Sequence, residues 1–179
     1  FVDVTRQAGL TDTLWSTSAA WGDLDGDGFP ELYVCHYVNW SWENNPPCKD
    51  YRDQTLPDVC APKRFDALPH ALYHNNGNGT FADVTARVGI NRPLYGMGSN
   101  FDDINNDGYL DFYIATGVPD LRSIVPNRMF LNQKGKSFVD VTNDGGFGHI
   151  QKGHGVGFGD LDNDGDQDLY NVLGGAYEG

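Results

Sequence analysis

Asp23-Leu24-Asp25-Gly26-Asp27-Gly28-Phe29-Pro30-Glu31-Leu32-Tyr33 returns twice along the chain. The second copy is Asp103-Ile104-Asn105-Asn106-Asp107-Gly108-Tyr109-Leu110-Asp111-Phe112-Tyr113. The third is Asp160-Leu161-Asp162-Asn163-Asp164-Gly165-Asp166-Gln167-Asp168-Leu169-Tyr170, so the offsets are 80 and then 57 residues. Phe1-Val2-Asp3-Val4-Thr5 returns at the same two offsets, as Phe81-Ala82-Asp83-Val84-Thr85 and Phe138-Val139-Asp140-Val141-Thr142. A third element, Leu72-Tyr73-His74-Asn75, matches Met129-Phe130-Leu131-Asn132, and a Gly-containing turn and a Phe follow each. Elements that move together at fixed offsets mark a structural repeat, and that repeat decides the architecture.

Working outward, Glu31 to Tyr37 and Asp111 to Thr116 are rich in β-branched and aromatic residues, the composition of strands. Asn76-Gly77 and Lys134-Gly135 lie between strand-like runs, where residues tolerating positive φ make tight hairpins. No segment sustains an apolar 3.6-residue period over a dozen positions, so little helix is expected. Strands of one unit cannot bury both faces alone, and units of roughly four strands that stack on one another are β-propeller blades. The expected fold is all-β, a single domain over residues 1–179. Its units run over about 1–80 with an insert at 40–68, then 81–137, then an incomplete 138–179.

Composition bounds the function. The 179 residues carry 25 acids against 12 bases, a formal net charge of -13. That balance excludes nucleic acid as a partner, because phosphate backbones are held by clustered Lys and Arg. No apolar run approaches the roughly 18 residues of a membrane span, so membrane insertion is not expected. Glycine (23) and proline (9) suit a turn-rich protein, and 13% aromatic content argues against disorder. The chain opens on Phe1 with no signal-like stretch, which reads as a processed product or an excerpt.

The acidic loops read as metal sites. Counted from the first Asp, positions 1, 3 and 5 carry Asp or Asn, position 6 is Gly, and position 9 is Asp or Glu. Alternate side chains of a tight loop converge on one point, and the backbone carbonyl of position 7 points inward. The predicted ligands are Asp23, Asp25, Asp27, Phe29 and Glu31; Asp103, Asn105, Asp107, Tyr109 and Asp111; and Asp160, Asp162, Asp164, Asp166 and Asp168. Phe29, Tyr109 and Asp166 enter through their carbonyls. An all-oxygen cage suits Ca²⁺, about three ions in all, better than Zn²⁺ or the stricter Mg²⁺. An EF-hand needs Glu at position 12 and flanking helices; Val34, Ile114 and Asn171 stand there instead, so that motif is excluded. Asn105 leaves the middle loop with three carboxylates, which predicts the weakest site, with Asp102 beside it as a partial electrostatic offset.

The Asp-x-Asp-x-Asp-Gly-x-x-Asp loops between strands resemble FG-GAP/VCBS repeats, the blades of integrin-α-type propellers. The Phe-x-Asp-Val-Thr elements, with the Leu72-to-Phe81 stretch, are similar to those of ASPIC/UnbV-associated and cartilage acidic protein-like families. The resemblance implies calcium-stabilised blades, an extracellular, cell-surface or periplasmic location, and a role in adhesion, recognition or surface structure. It implies no catalytic residues. Three acidic loops are fewer than a closed propeller's four to eight blades, and open sheet edges invite pairing. Either the chain is an excerpt of a longer propeller, or copies join head to tail into rings or filaments.

The insert, 23 residues longer than the second unit allows, holds Pro46, Pro47, Pro57 and Pro62 together with Cys48 and Cys60. A disulfide between these cysteines would stabilise by roughly 3 kcal/mol in the chain-entropy model. Pairing of Cys48 with Cys35 stays open, since sequence does not fix connectivity; Cys35 otherwise reads as a small buried apolar residue. Asn39-Trp40-Ser41 and Asn78-Gly79-Thr80 are glycosylation sequons at Asn39 and Asn78, the second doubling as a turn signal. None of His36, His70, His74, His149 and His154 has a partner at metal-ligand spacing, and no nucleophilic triad stands out. The chain is therefore expected to be no enzyme. Trp40 and Trp42 beside the insert offer a surface for carbohydrate. The partners expected are a second copy of the chain or a protein or glycan ligand.

Overall fold

The computed structural model describes residues 1–117 and 125–174; the last five positions of the third unit lie outside them. Its strands are β1 (Ser16–Gly22), β2 (Glu31–His36), β3 (Cys48–Lys49), β4 (Pro57–Asp58), β5 (Leu68–Pro69), β6 (Ala71–Asn75), β7 (Phe81–Asp83), β8 (Pro93–Leu94), β9 (Gly96–Asp102), β10 (Asp111–Thr116), β11 (Arg128–Asn132), β12 (Phe138–Asp140), β13 (Gly153–Gly159) and β14 (Asp168–Leu173). One 3₁₀ turn, Pro62–Arg64, is the only helical element among the described residues. The fold is all-β, as the repeat predicts.

β1-β2-β6-β7 form one four-stranded antiparallel blade and β9-β10-β11-β12 a second; β13-β14 are the first half of a third. Each acidic stretch connects the first and second strands of its blade. The hairpin turns fall at the predicted glycines, with Gly77, Gly79 and Gly135 at φ of 71°, 83° and 73°. Structural blades are thus out of phase with the sequence unit, because Phe-x-Asp-Val-Thr closes a blade rather than opening one.

That motif does two jobs. Phe81–Asp83 and Phe138–Asp140 are the outermost strands, and the following Thr turns back into the blade. Thr142 Oγ1 donates to Asp140 Oδ1 (2.5 Å) and accepts the Met129 N–H (3.1 Å); Thr85 does the same with Asp83 (2.5 Å) and Leu72 (2.9 Å). Both threonines are buried. Phe1-Val2-Asp3-Val4-Thr5 departs from its copies: it forms no strand, and Phe1, Val2 and Val4 are exposed. Only its local turn persists, Thr5 N–H to Asp3 Oδ1 at 2.9 Å. A strand needs a neighbour to take its hydrogen bonds, whereas an Asx turn is closed within three residues.

The main core lies between the two full blades. Phe112 stacks on Phe130 (centroids 4.8 Å apart, 12° between planes) and takes the edge of Phe138 at 4.8 Å. Tyr33 of the first blade reaches the same ring at 5.1 Å. The first strands pack side by side, β1 on β9 and β9 on β13. At Gly98 the approach is so close that a Cβ would fall 1.9 Å from the His154 carbonyl oxygen, so only glycine fits.

Candidate metal centre and the insert cleft

The three acidic loops share one backbone scaffold. In each, the position-1 carboxylate accepts the N–H groups of positions 5 and 6: Asp23 from Asp27 (3.2 Å) and Gly28 (3.0 Å), Asp103 from Asp107 (3.0 Å) and Gly108 (2.7 Å), Asp160 from Asp164 and Gly165 (both 3.0 Å). The position-5 carboxylate accepts the N–H of position 7, at Phe29 (2.8 Å), Tyr109 (3.0 Å) and Asp166 (3.0 Å). The position-9 carboxylate accepts the N–H of position 2, at Leu24 (2.8 Å), Ile104 (3.1 Å) and Leu161 (2.9 Å). Position 4 is left-handed in every copy: Gly26 at φ 78°, Asn106 at 56° and Asn163 at 61°. Gly and Asn are the residues that tolerate this conformation, so position 4 belongs to the motif beside positions 1, 3, 5, 6 and 9.

The donor sets differ. Oxygens of Asp23, Asp25 and Glu31 lie within 4.8 Å of one another, as do those of Asp160, Asp162 and Asp168. Among the described residues, the second loop's carboxylates form no such group. There Asn105 Nδ2 donates to Asp107 Oδ2 (3.3 Å), and Asp102 Oδ1 is engaged by the Asp103 N–H (2.8 Å). Burial pushes the Asp111 carboxyl up to about 6, opposed by the N–H groups of Asn132 and Ile104 and aided by Asp107 and Asp103. Glu31 is raised for the same reason, burial first, with Asp25 adding to it. Carboxylates held above their usual range beside other carboxylates are what a bound cation would relieve. In the first loop Asp25 Oδ1 is buried without a hydrogen-bond partner, as a ligand oxygen would be.

The first loop is also tied to the neighbouring blade. Asn132 Nδ2 donates to the Leu24 carbonyl at 2.7 Å, and a Cβ at Gly135 would fall 2.7 Å from Asp25. Asn106 reaches Asp166 at 3.3 Å between the second and third loops. Acidic loops and blade interfaces are thus one connected structure.

A family model for the FG-GAP-like repeat matches residues 57–114 and 116–170. The chain belongs to the FG-GAP-like repeat family. Cartilage acidic protein 1 of Mus musculus is 46% identical over 44 residues, and that of Homo sapiens 43% over the same length. The aligned stretch is 24% of this chain and 7% of each relative, so the chain spans a small part of the curated relatives it matches.

FG-GAP-like blades leave the insert unexplained, and it forms the other feature of the surface. β3 and β4 pair, and Cys48 is bonded to Cys60. Cys35 is a free thiol, fully buried, its pKa pushed up by burial to about 12. A cleft of about 790 Å³ opens between the insert and the first blade, walled by Trp15, Trp40, Trp42, Pro46, Pro57 and Val59. Trp40 meets Trp15 and Trp42 edge-on at 5.1 and 5.0 Å, and its Nε1–H donates to Asn45 Oδ1 at 3.0 Å. Of the two sequons, Asn39 has its side chain occupied by Asp66 (Oδ1 accepting at 3.0 Å), and Asn78 caps its turn through Thr80 (3.0 Å).

Proposed function

We propose that this chain is a calcium-stabilised propeller segment with a structural or adhesive role outside the cell, and that it performs no catalysis. Ca²⁺ held in the loops would neutralise their crowded carboxylates and fix the turn between the first two strands of each blade. Through Asn132 and Leu24 it would fix the blade interface as well. The observation that carries this reading is the convergence of three carboxylates in the first and third loops on an identical backbone scaffold. The disulfide suits an oxidising compartment, and no helix among the described residues is long and apolar enough to cross a membrane. The likeness to cartilage acidic protein 1 supports an extracellular setting. Thermal melts in millimolar calcium and in chelator test it. Each occupied site is expected to add about 2.7 kcal/mol at a hundredfold excess over Kd. Equal melting temperatures would overturn the reading.

Two surfaces favour a binding partner. Tyr170, Val172 and Leu173 stand exposed on β14, whose outer edge has no partner among the described residues. A further strand, from the rest of a longer chain or from a second copy arriving head to tail, would cover it. The tryptophan-walled cleft supports the second reading, a carbohydrate or protein ligand, since aromatic walls with few polar groups mark ligand clefts. Light scattering in calcium and in chelator separates these: calcium-dependent assemblies support self-association, and a monomer directs attention to the cleft.

A further inference from the structure

His74 lies 43 residues beyond Glu31 in sequence and at the edge of the first acidic loop in space. The register that pairs Leu32 with Tyr73 sets His74 across from Glu31. Its Nδ1–H donates to Glu31 Oε1 at 3.0 Å and stands 3.3 Å from Asp25 Oδ2. A ring nitrogen of His74 and oxygens of Asp25 and Asp27 lie within 4.8 Å of one another, so Asp25 is common to this group and to the all-carboxylate group of the same loop. Two further observations point the same way. Asp25 Oδ1 is buried and takes no hydrogen bond. In the second blade the equivalents of Asp25 and His74 are Asn105 and Leu131, so the carboxylate and the imidazole are absent together.

We propose that the first loop is a mixed nitrogen–oxygen site that accepts a divalent transition ion of the zinc class, with His74 as a ligand, in competition with calcium. Zinc and its neighbours bind imidazole and carboxylate at about 2.0–2.2 Å, so adjacent ligand atoms around such an ion stand about 3 Å apart. The 3.0 and 3.3 Å separations from His74 already have that spacing. Calcium takes oxygen ligands at about 2.3–2.6 Å and gains little from an imidazole. To bind the ion, His74 moves its proton from Nδ1 to Nε2, a change of tautomer with no net release; the Nδ1 lone pair and the Asp25, Asp27 and Glu31 oxygens then face the metal. The second loop, with Leu131 in place of this histidine, keeps an oxygen-only set. This inference rests on the reading of the loops as cation sites.

The test titrates the whole, metal-free chain with Co²⁺ alone, follows its visible absorption, displaces it with Zn²⁺, and repeats the series with Ca²⁺ by calorimetry. Wild type should take one tight Co²⁺. His74→Leu, which copies the second blade, should weaken that equivalent by about tenfold or more and leave calcium binding in place. The double change Asn105→Asp with Leu131→His should create a second tight equivalent, a gain that misfolding cannot imitate. Co²⁺ binding as tight in His74→Leu as in wild type, or no tight equivalent in a wild type that still binds calcium, overturns this inference alone. Absence of both Co²⁺ and Ca²⁺ binding overturns the reading of the loops with it.

Discussion

The first and second acidic loops have one backbone and two chemistries. Asp23 and Asp103 gather the same N–H groups, Gly28 and Gly108 adopt φ of 88° and 89°, and Glu31 and Asp111 each cap the N–H of position 2. What differs is what remains for a cation. Glu31, one methylene longer, gives Oε2 to Leu24 and holds Oε1 against the His74 ring nitrogen at 3.0 Å, with the Asn75 N–H only loosely engaged at 3.4 Å. Asp111 is drawn fully into the sheet, its oxygens taken by Ile104 (3.1 Å) and Asn132 (2.7 Å). Positions 1, 5, 6 and 9 therefore build the turn. On the proposed reading of the loops as cation sites, position 3 and the neighbouring strand set the affinity.

The blades diverge in the same way, and the largest expected effect of a substitution exploits it. Phe112 in the second blade sits at the centre of the inter-blade core, 1% exposed, whereas its counterpart Leu32 belongs to a smaller cluster with Ala71 and Tyr73. Phe112→Ala should cost about 3–5 kcal/mol in denaturant unfolding, and Leu32→Ala about 2–3 kcal/mol. Equal losses would show that the two blades share the core evenly.

A smaller effect separates the blades by pH. His70, against Tyr33 in the first blade, is buried and hydrogen-bonded to the Tyr33 hydroxyl group. Burial first, then the charge of His36, lowers its pKa to about 4, from 6.5. The imidazole is neutral in the fold, so below pH 6.5 the unfolded chain takes up a proton that the folded chain refuses. The stability is complete above pH 6.5 and falls by about 3 kcal/mol on descending to pH 4. Buried Glu31 and Asp111 act with the opposite sign, which makes the difference between wild type and His70→Gln the quantity to measure. Identical pH profiles for the two proteins would remove His70 from the balance.

Much of this was legible in the sequence, because a repeat reports its own strand positions. β2 and β10 begin at Glu31 and Asp111, where the motif puts them; the hairpins fall at Gly77 and Gly135; and Cys48 pairs with Cys60. The less legible parts depend on contacts between repeats or on missing ones. Phe1 to Thr5 carries a strand's sequence without a strand's neighbour. Asn132 matches Asn75 in sequence, yet its reach to Leu24 exists only once blades stack. His74 hides among ordinary strand residues; the one signal was its standing where Leu131 stands in the other copy.

The central claim is that the loops clamp cations, the second least tightly. Calorimetric titration of Ca²⁺ into the metal-free chain tests it most directly. Saturable binding at the loops, with one site clearly weaker than the others and tightened by Asn105→Asp, is the predicted result. A titration without saturable heat, or a weakest site that Asn105→Asp leaves unchanged, would contradict it.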